Sequence, residues 1–260
     1  MMVAEPSLVN DAGLVIGGPA PATATRTVQR LGGFAVAQCE RHGVHTDRYL
    51  DVGCGNGSIT RYIAGRFTSV DAIDMEAERL ASFRADVQGD DRFRILEGDA
   101  ADLPYDARTF DLVTSFEVLE HVVDVDATIA GIVRVARPGG LIVVSTPQVW
   151  FPLETHGMRW RGREIEKKVP LLPYLRPLHR KLALARLFSS RELDRRFAAH
   201  GCTTLATGYA APQFERQASG SKGWEARVRD IRPLLDACER IPGLRCIAGV
   251  SLLKAFRAPC

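Results

Sequence analysis

Residues Tyr49 to Thr60 read YLDVGCGNGSIT: an apolar run, then Gly53, Gly55 and Gly57 at every second position, then the start of a helical pattern. A glycine-rich turn from strand into helix lets a ligand approach bare backbone, because no Cβ stands in the way and the first N–H groups of a helix are free to donate. A dinucleotide site takes the spacing G-x-G-x-x-G, and here its third glycine is replaced by Ser58. Acidic residues surround the turn at Asp51, Asp74 and Asp99. Carboxylates crowding one pocket repel a pyrophosphate and favour a ligand with cationic groups. Taken singly, the turn is equally a tight connection, and Asp74 or Asp99 a helix-capping carboxylate.

Outward from this turn the chain alternates. "RYLDVG" and "SVDAIDM" are short buried-strand runs with the helix "SITRYIAGRF" between them. "EAERLASFRADV" continues as helix, "RFRILEGD" and "FDLVTSFE" as strands, Asp124 to Ala136 as helix and "GLIVVSTP" as a fifth strand. Five strands alternating with helices demand a parallel sheet covered on both faces. A helix from Val28 to Gly43 precedes the sheet. After an Arg-, Pro- and Trp-rich stretch come the helix "SSRELDRRFAAHG", the strand "CTTLATGYA", a helix near Glu225 to Arg240 and a last strand in "RCIAGVSLLKAF". The expectation is an α/β, Rossmann-like, seven-stranded, mainly parallel sheet with a basic lid insertion at about 148–188. Residues 1–27 form a disordered lead-in and 28–260 one domain.

The composition excludes more than it assigns. A net charge of +3 announces neither a nucleic acid nor a membrane by itself. The six Cys show no zinc-ligand spacing, which fits reduced thiols in a cytoplasm. The N-terminal residues lack a signal-peptide pattern, and no apolar run approaches the about 18 to 20 residues of a membrane span. The expected location is cytoplasmic, with peripheral membrane contact where the basic stretch permits it.

"LDVGCGNG", "VDAIDM", "LEGDAADLPY", "FDLVTSFEVLEHVVD" and "VARPGGLIVVSTP" resemble the successive motifs of class I S-adenosylmethionine-dependent methyltransferases. The resemblance is dense from Tyr49 to Pro147 and topological elsewhere. It implies S-adenosylmethionine, with its ammonium and sulfonium, as cofactor. Gly53, Cys54, Gly55 and Gly57 would pass the methionine part over backbone, with Asp51 reaching the ammonium through water. Asp74 would hold the ribose hydroxyls and Met75 pack on the adenine. Asp99, beside Ala100, would accept from the adenine amino group, and Phe116 would lie near the transferring methyl.

On the acceptor side, "FEVLEHV" sets Glu117, Glu120 and His121 at spacing i, i+3, i+4, one face of a turn if the segment is helical. With His156 of "PLETHGMRW" they form a mixed oxygen and nitrogen set for a divalent cation such as Mg²⁺. Without a metal, His121 and Glu117 are the candidate catalytic residues, His121 as base. The ubiquinone-biosynthesis O-methyltransferases are similar through "EVLEHV…RPGG…VVST". The small-RNA 3′-end 2′-O-methyltransferases are similar through "EVLEH…STPQ" and a downstream His. His42, His45, His179 and His200 read as surface residues.

Between Phe151 and Arg191 ten Lys or Arg stand against three Glu, a local excess of seven positive charges. Leu171, Leu175, Leu178, Leu182 and Ala185 recur at helical spacing beside Arg176, Arg180, Lys181 and Arg186. Pro170, Pro173 and Pro177 confine any helix to a short one starting near Pro177. The segment is either a basic amphipathic helix for an anionic membrane or a solvated lid. Sparse aromatic residues argue against a single-strand RNA platform, so nucleic acid is not the expected partner. The reading is O-methylation of a small or lipid-like acceptor. The alternatives are metal-dependent 2′-O-methylation of RNA ribose and a non-catalytic S-adenosylmethionine-binding module.

Overall fold

The computed structural model describes residues 26–165, 169–210 and 249–260. Helix α1 (Arg26–His42) precedes β1 (Arg48–Val52), α2 (Ser58–Ala64), β2 (Ser69–Asp74), α3 (Ala77–Asp86), β3 (Phe93–Glu97), β4 (Phe110–Phe116), α4 (Val125–Val135) and β5 (Ala136–Pro147). After the insertion come α6 (Ser190–Ala199), β10 (Thr203–Ala210) and β11 (Ser251–Arg257). The seven strands lie in the order β10-β11-β5-β4-β1-β2-β3. β1 to β5 pair in parallel, whereas β11 runs antiparallel to both β5 and β10, which makes the sheet mainly parallel as expected. The expected helix near Glu225 to Arg240, the first residues of the last strand run and residues 1–25 lie outside the described residues.

Side chains alternate across each strand, so a sheet covered on both faces needs apolar residues at consecutive positions. Every residue of β4 is buried. Leu50, Val113 and Ile142 pack on one face against Ile129 and Ile132 of α4 and Leu193 and Phe197 of α6. Tyr49, Leu112 and Val143 pack on the other against Leu31 and Ala35 of α1 and Ile63 of α2. Polar caps set the helix entries: the Asp124 carboxylate accepts the N–H groups of Asp126 and Ala127 before α4, and the Ser189 hydroxyl accepts that of Glu192 in α6.

The insertion is more ordered than its proline content suggests. β6 (Leu153–Glu154) pairs antiparallel with β9 (Val169–Pro170), and β7 (Met158–Trp160) with β8 (Arg163–Ile165). Arg161 and Gly162, with φ of 52° and 76°, form the two-residue loop of the β7-β8 hairpin, as a type I′ turn requires. A 3₁₀ turn (Leu172–Tyr174) leads into α5 (Arg176–Leu182), the short helix that the prolines permit. Among the described residues no helix is long and apolar enough to cross a membrane.

Candidate active site

β1 lies between β2 and β4, so the chain leaves it in opposite directions at this point of the sheet. Ligands of open α/β sheets bind in the crevice beyond the carboxyl ends of the strands at such a reversal. Every sequence-predicted cofactor residue sits there, in or just after β1, β2, β3 or β4. The glycine turn is held to β2 by the N–H groups of Gly53 and Cys54, which donate to Ile73 O at 2.8 and 3.1 Å. The N–H of Gly55 donates to Asp74 Oδ2 at 2.7 Å, and that of Glu76 to Asp74 Oδ1 at 3.0 Å. Glycine is required twice over at two positions: Gly53 (φ 78°) and Gly57 (φ 70°) are left-handed, and a Cβ there would stand 2.1 Å from Val118 Cγ2 and 2.2 Å from Phe83 Cδ2 respectively.

The acids differ in environment. Asp51 is buried, its oxygens accepting from Thr60 Oγ1 and Thr114 Oγ1, each at 2.6 Å. Burial pushes its carboxyl up to about 6, with the Thr114 and Thr60 hydroxyls opposing the rise and Asp74 adding to it. Asp99 is exposed after β3 and turns one oxygen to the Ala101 N–H at 2.9 Å. Ala100 is half-buried, Met75 exposed and Phe116 buried at the exit of β4. Burial holds the Cys54 thiol well above its ordinary value, so it stays protonated and is no nucleophile.

The acceptor side departs from expectation. The residues after β4 are not helical: Glu117 has φ 56°, and its N–H donates to Ser145 O at 3.1 Å. Glu117 Oε1 accepts from Ser145 Oγ at 2.7 Å. Glu117, Glu120 and His121 therefore do not share one helical face, and the edge of β5 takes Glu117 away from the arrangement. Among the described residues Glu120, His121 and His156 do converge, each offering one ligand atom, all within 4.8 Å of one another. The rings of His121 and His156 meet edge to face at 5.8 Å. Glu120 is wholly buried, and among the described residues neither carboxylate oxygen has a hydrogen-bond partner, His121 Nε2 standing 3.8 Å from Oε1. Burial, and then the charge of Glu117, push the Glu120 carboxyl well above the usual range.

Three further residues frame this group. Glu154, wholly buried in β6, and His179 of α5 join at 2.5 Å, so His179 is a buried partner rather than a surface residue. Arg186 donates through its guanidinium to Val122 O and, at 3.1 Å, to Val123 O, while its N–H donates to Glu120 O at 3.2 Å. Partners 25 or more residues apart leave no local pattern in a sequence; the Glu154 and His156 pair within "LETHG" was the available signal.

Residues 50–144 match the family model described as a methyltransferase domain. The ubiquinone biosynthesis O-methyltransferase of Xanthomonas euvesicatoria pv. vesicatoria is 40% identical over 104 residues, 38% of this chain and 42% of that protein. The demethylmenaquinone methyltransferase of Clavibacter sepedonicus is 37% identical over 114 residues, 43% of this chain and 46% of that protein. The chain thus spans less than half the length of these curated relatives. A solved S-adenosylmethionine-dependent methyltransferase from Mesorhizobium loti superposes with a TM-score of 0.60 at 19% identity, covering 88% of this chain and 99% of that one. Residues 50–144 are thus similar to a methyltransferase domain, and the described residues share the fold of solved class I S-adenosylmethionine-dependent methyltransferases.

Proposed function

We propose that this protein transfers a methyl group from S-adenosylmethionine to an oxygen of a small, lipid-like acceptor. The observation that carries the reading is the junction of the glycine turn with Asp74: one carboxylate bonded to the turn's backbone, at the reversal point of the sheet, beside the acids Asp51 and Asp99. Such a wall suits a cationic donor with ribose hydroxyls. Displacement at a sulfonium has a good leaving group, so the protein's part is to align the acceptor and to accept a proton from its hydroxyl. His121 is the residue we assign to that proton. The quinone-related names of the two relatives support a lipid-like acceptor.

Glu120, His121 and His156 also fit a divalent cation. Two imidazoles and a buried carboxylate without a hydrogen-bond partner among the described residues form a nitrogen and oxygen set of ordinary ligand character. Bound there, the ion would lower the pKa of an acceptor hydroxyl. Around the lid, Trp150, Leu171, Tyr174, Leu175 and Leu178 are exposed beside Arg176, Arg180 and Lys181. Apolar tips rimmed by cations support docking on an anionic bilayer, from which a lipid-like acceptor would be drawn.

The test is incubation of the purified protein with methyl-labelled S-adenosylmethionine and a lipid extract. A product heavier by one methylene and carrying the label on oxygen supports the reading. Label appearing only on carbon, or on RNA ribose, overturns the assignment of the acceptor.

A further inference from the structure

The lid contains a buried carboxylate to which the proposed reaction assigns no step. Glu154 Oε1 accepts the backbone N–H of His156 at 2.7 Å, and Oε2 meets His179 Nε2 at 2.5 Å. His156 Nδ1 stands 3.6 Å from the same Oε1 and 3.4 Å from Thr155 Oγ1. A carboxylate removed from water is costly unless paired and hydrogen-bonded. Glu154 has both oxygens paired in this way, one with the His156 backbone N–H and one with the His179 ring. It is thus placed between a histidine of α5 and the histidine whose ring meets His121.

A carboxylate and a hydroxyl oxygen beside Nδ1 favour the tautomer that carries its proton there and leaves Nε2 with the lone pair. We propose that Glu154 is a positioning residue, held by His179, that fixes the orientation and the Nδ1–H tautomer of His156, so that docking of α5 on β6 completes the acceptor side of the site. The inference rests on the reading that Glu120, His121 and His156 line that side.

Nitrogen-15 NMR of ring-labelled histidine in the full chain, at one neutral pH, tests the role without an acceptor. In the wild type the His156 ring carries its proton on Nδ1. Glu154→Gln moves His156 toward the Nε2–H form that an unconstrained histidine side chain prefers, while calorimetric affinity for S-adenosylmethionine stays within about twofold. His179→Gln, which keeps a donor for Glu154, retains the wild-type His156 signals, and His179→Ala shifts them. Wild-type His156 signals in Glu154→Gln overturn the proposal. Should Glu154→Gln fail to fold, unchanged His156 signals in His179→Ala overturn it instead. Because no methyl transfer is needed, an inactive protein with the predicted tautomer shifts would contradict the proposed activity and leave the positioning role standing.

Discussion

Thr114 of β4 donates its hydroxyl to Asp51 of β1 at 2.6 Å, joining the two strands at the point where the sheet order reverses. The bond lies in a buried setting that still holds the Asp51 carboxyl at about 6, above its ordinary 3.8. The folded chain therefore binds this proton more tightly than the unfolded one. Stability from Asp51 is fully present below about pH 4, declines as pH rises through about 6 and is constant above, a change on the order of 3 kcal/mol. Melting temperature against pH, compared between wild type and Asp51→Asn, checks this: the wild type should lose stability relative to the variant across that window only. A pH-independent difference would contradict it.

Gly57→Ala and Gly89→Ala separate backbone strain from collision. Both glycines are left-handed, at φ 70° and 86°, but a Cβ on Gly89 meets nothing within 4 Å whereas one on Gly57 meets the buried Phe83 ring. Denaturant titration should show a loss of about 1 kcal/mol for Gly89→Ala from strain alone. Gly57→Ala should lose about 2 to 4 kcal/mol, since overpacking adds to the strain. Equal losses would mean that the turn moves aside.

Manganese should raise the melting temperature of the protein, because a ligand that binds only the folded state stabilises it. The rise should vanish in Glu120→Ala and in His156→Ala. It should persist in Glu117→Ala, whose carboxylate is bonded to Ser145. No rise in the wild type, or equal rises in all four proteins, would remove the cation from the account.

Sedimentation with anionic liposomes tests the lid surface. Binding should be evident at low salt, weaken as the Debye length shrinks, and fall when Leu175 and Leu178, both exposed, are changed together to Ser. A protein left in the supernatant at low salt would make the lid a cover only.

The parts of the fold that were legible in the sequence are those whose determinants lie close together. Apolar runs such as LIVV in β5 mark a strand buried on both faces, and the glycine turn and Asp74 are displayed within about one β-α-β unit. What misled was a spacing rule applied to a segment whose partner is distant. Glu117, Glu120 and His121 have helical spacing, yet Glu117 follows β4 into a bond with Ser145 of β5, 28 residues on, and the backbone turns left-handed instead. His179 looked like a surface histidine because Glu154 is 25 residues away on another element. The β7-β8 hairpin turns on Arg161 and Gly162, a short signal hidden among charges that read as solvated lid.

Calorimetric titration with S-adenosylmethionine, of the wild type and of Asp74→Ala, tests the central claim most directly. The account requires measurable binding by the wild type and a loss of about 2 to 3 kcal/mol, roughly 30- to 150-fold in affinity, when the charged acceptor at the end of β2 is removed. Unchanged affinity in Asp74→Ala, or tight binding of NADH by the wild type with none of S-adenosylmethionine, would contradict it.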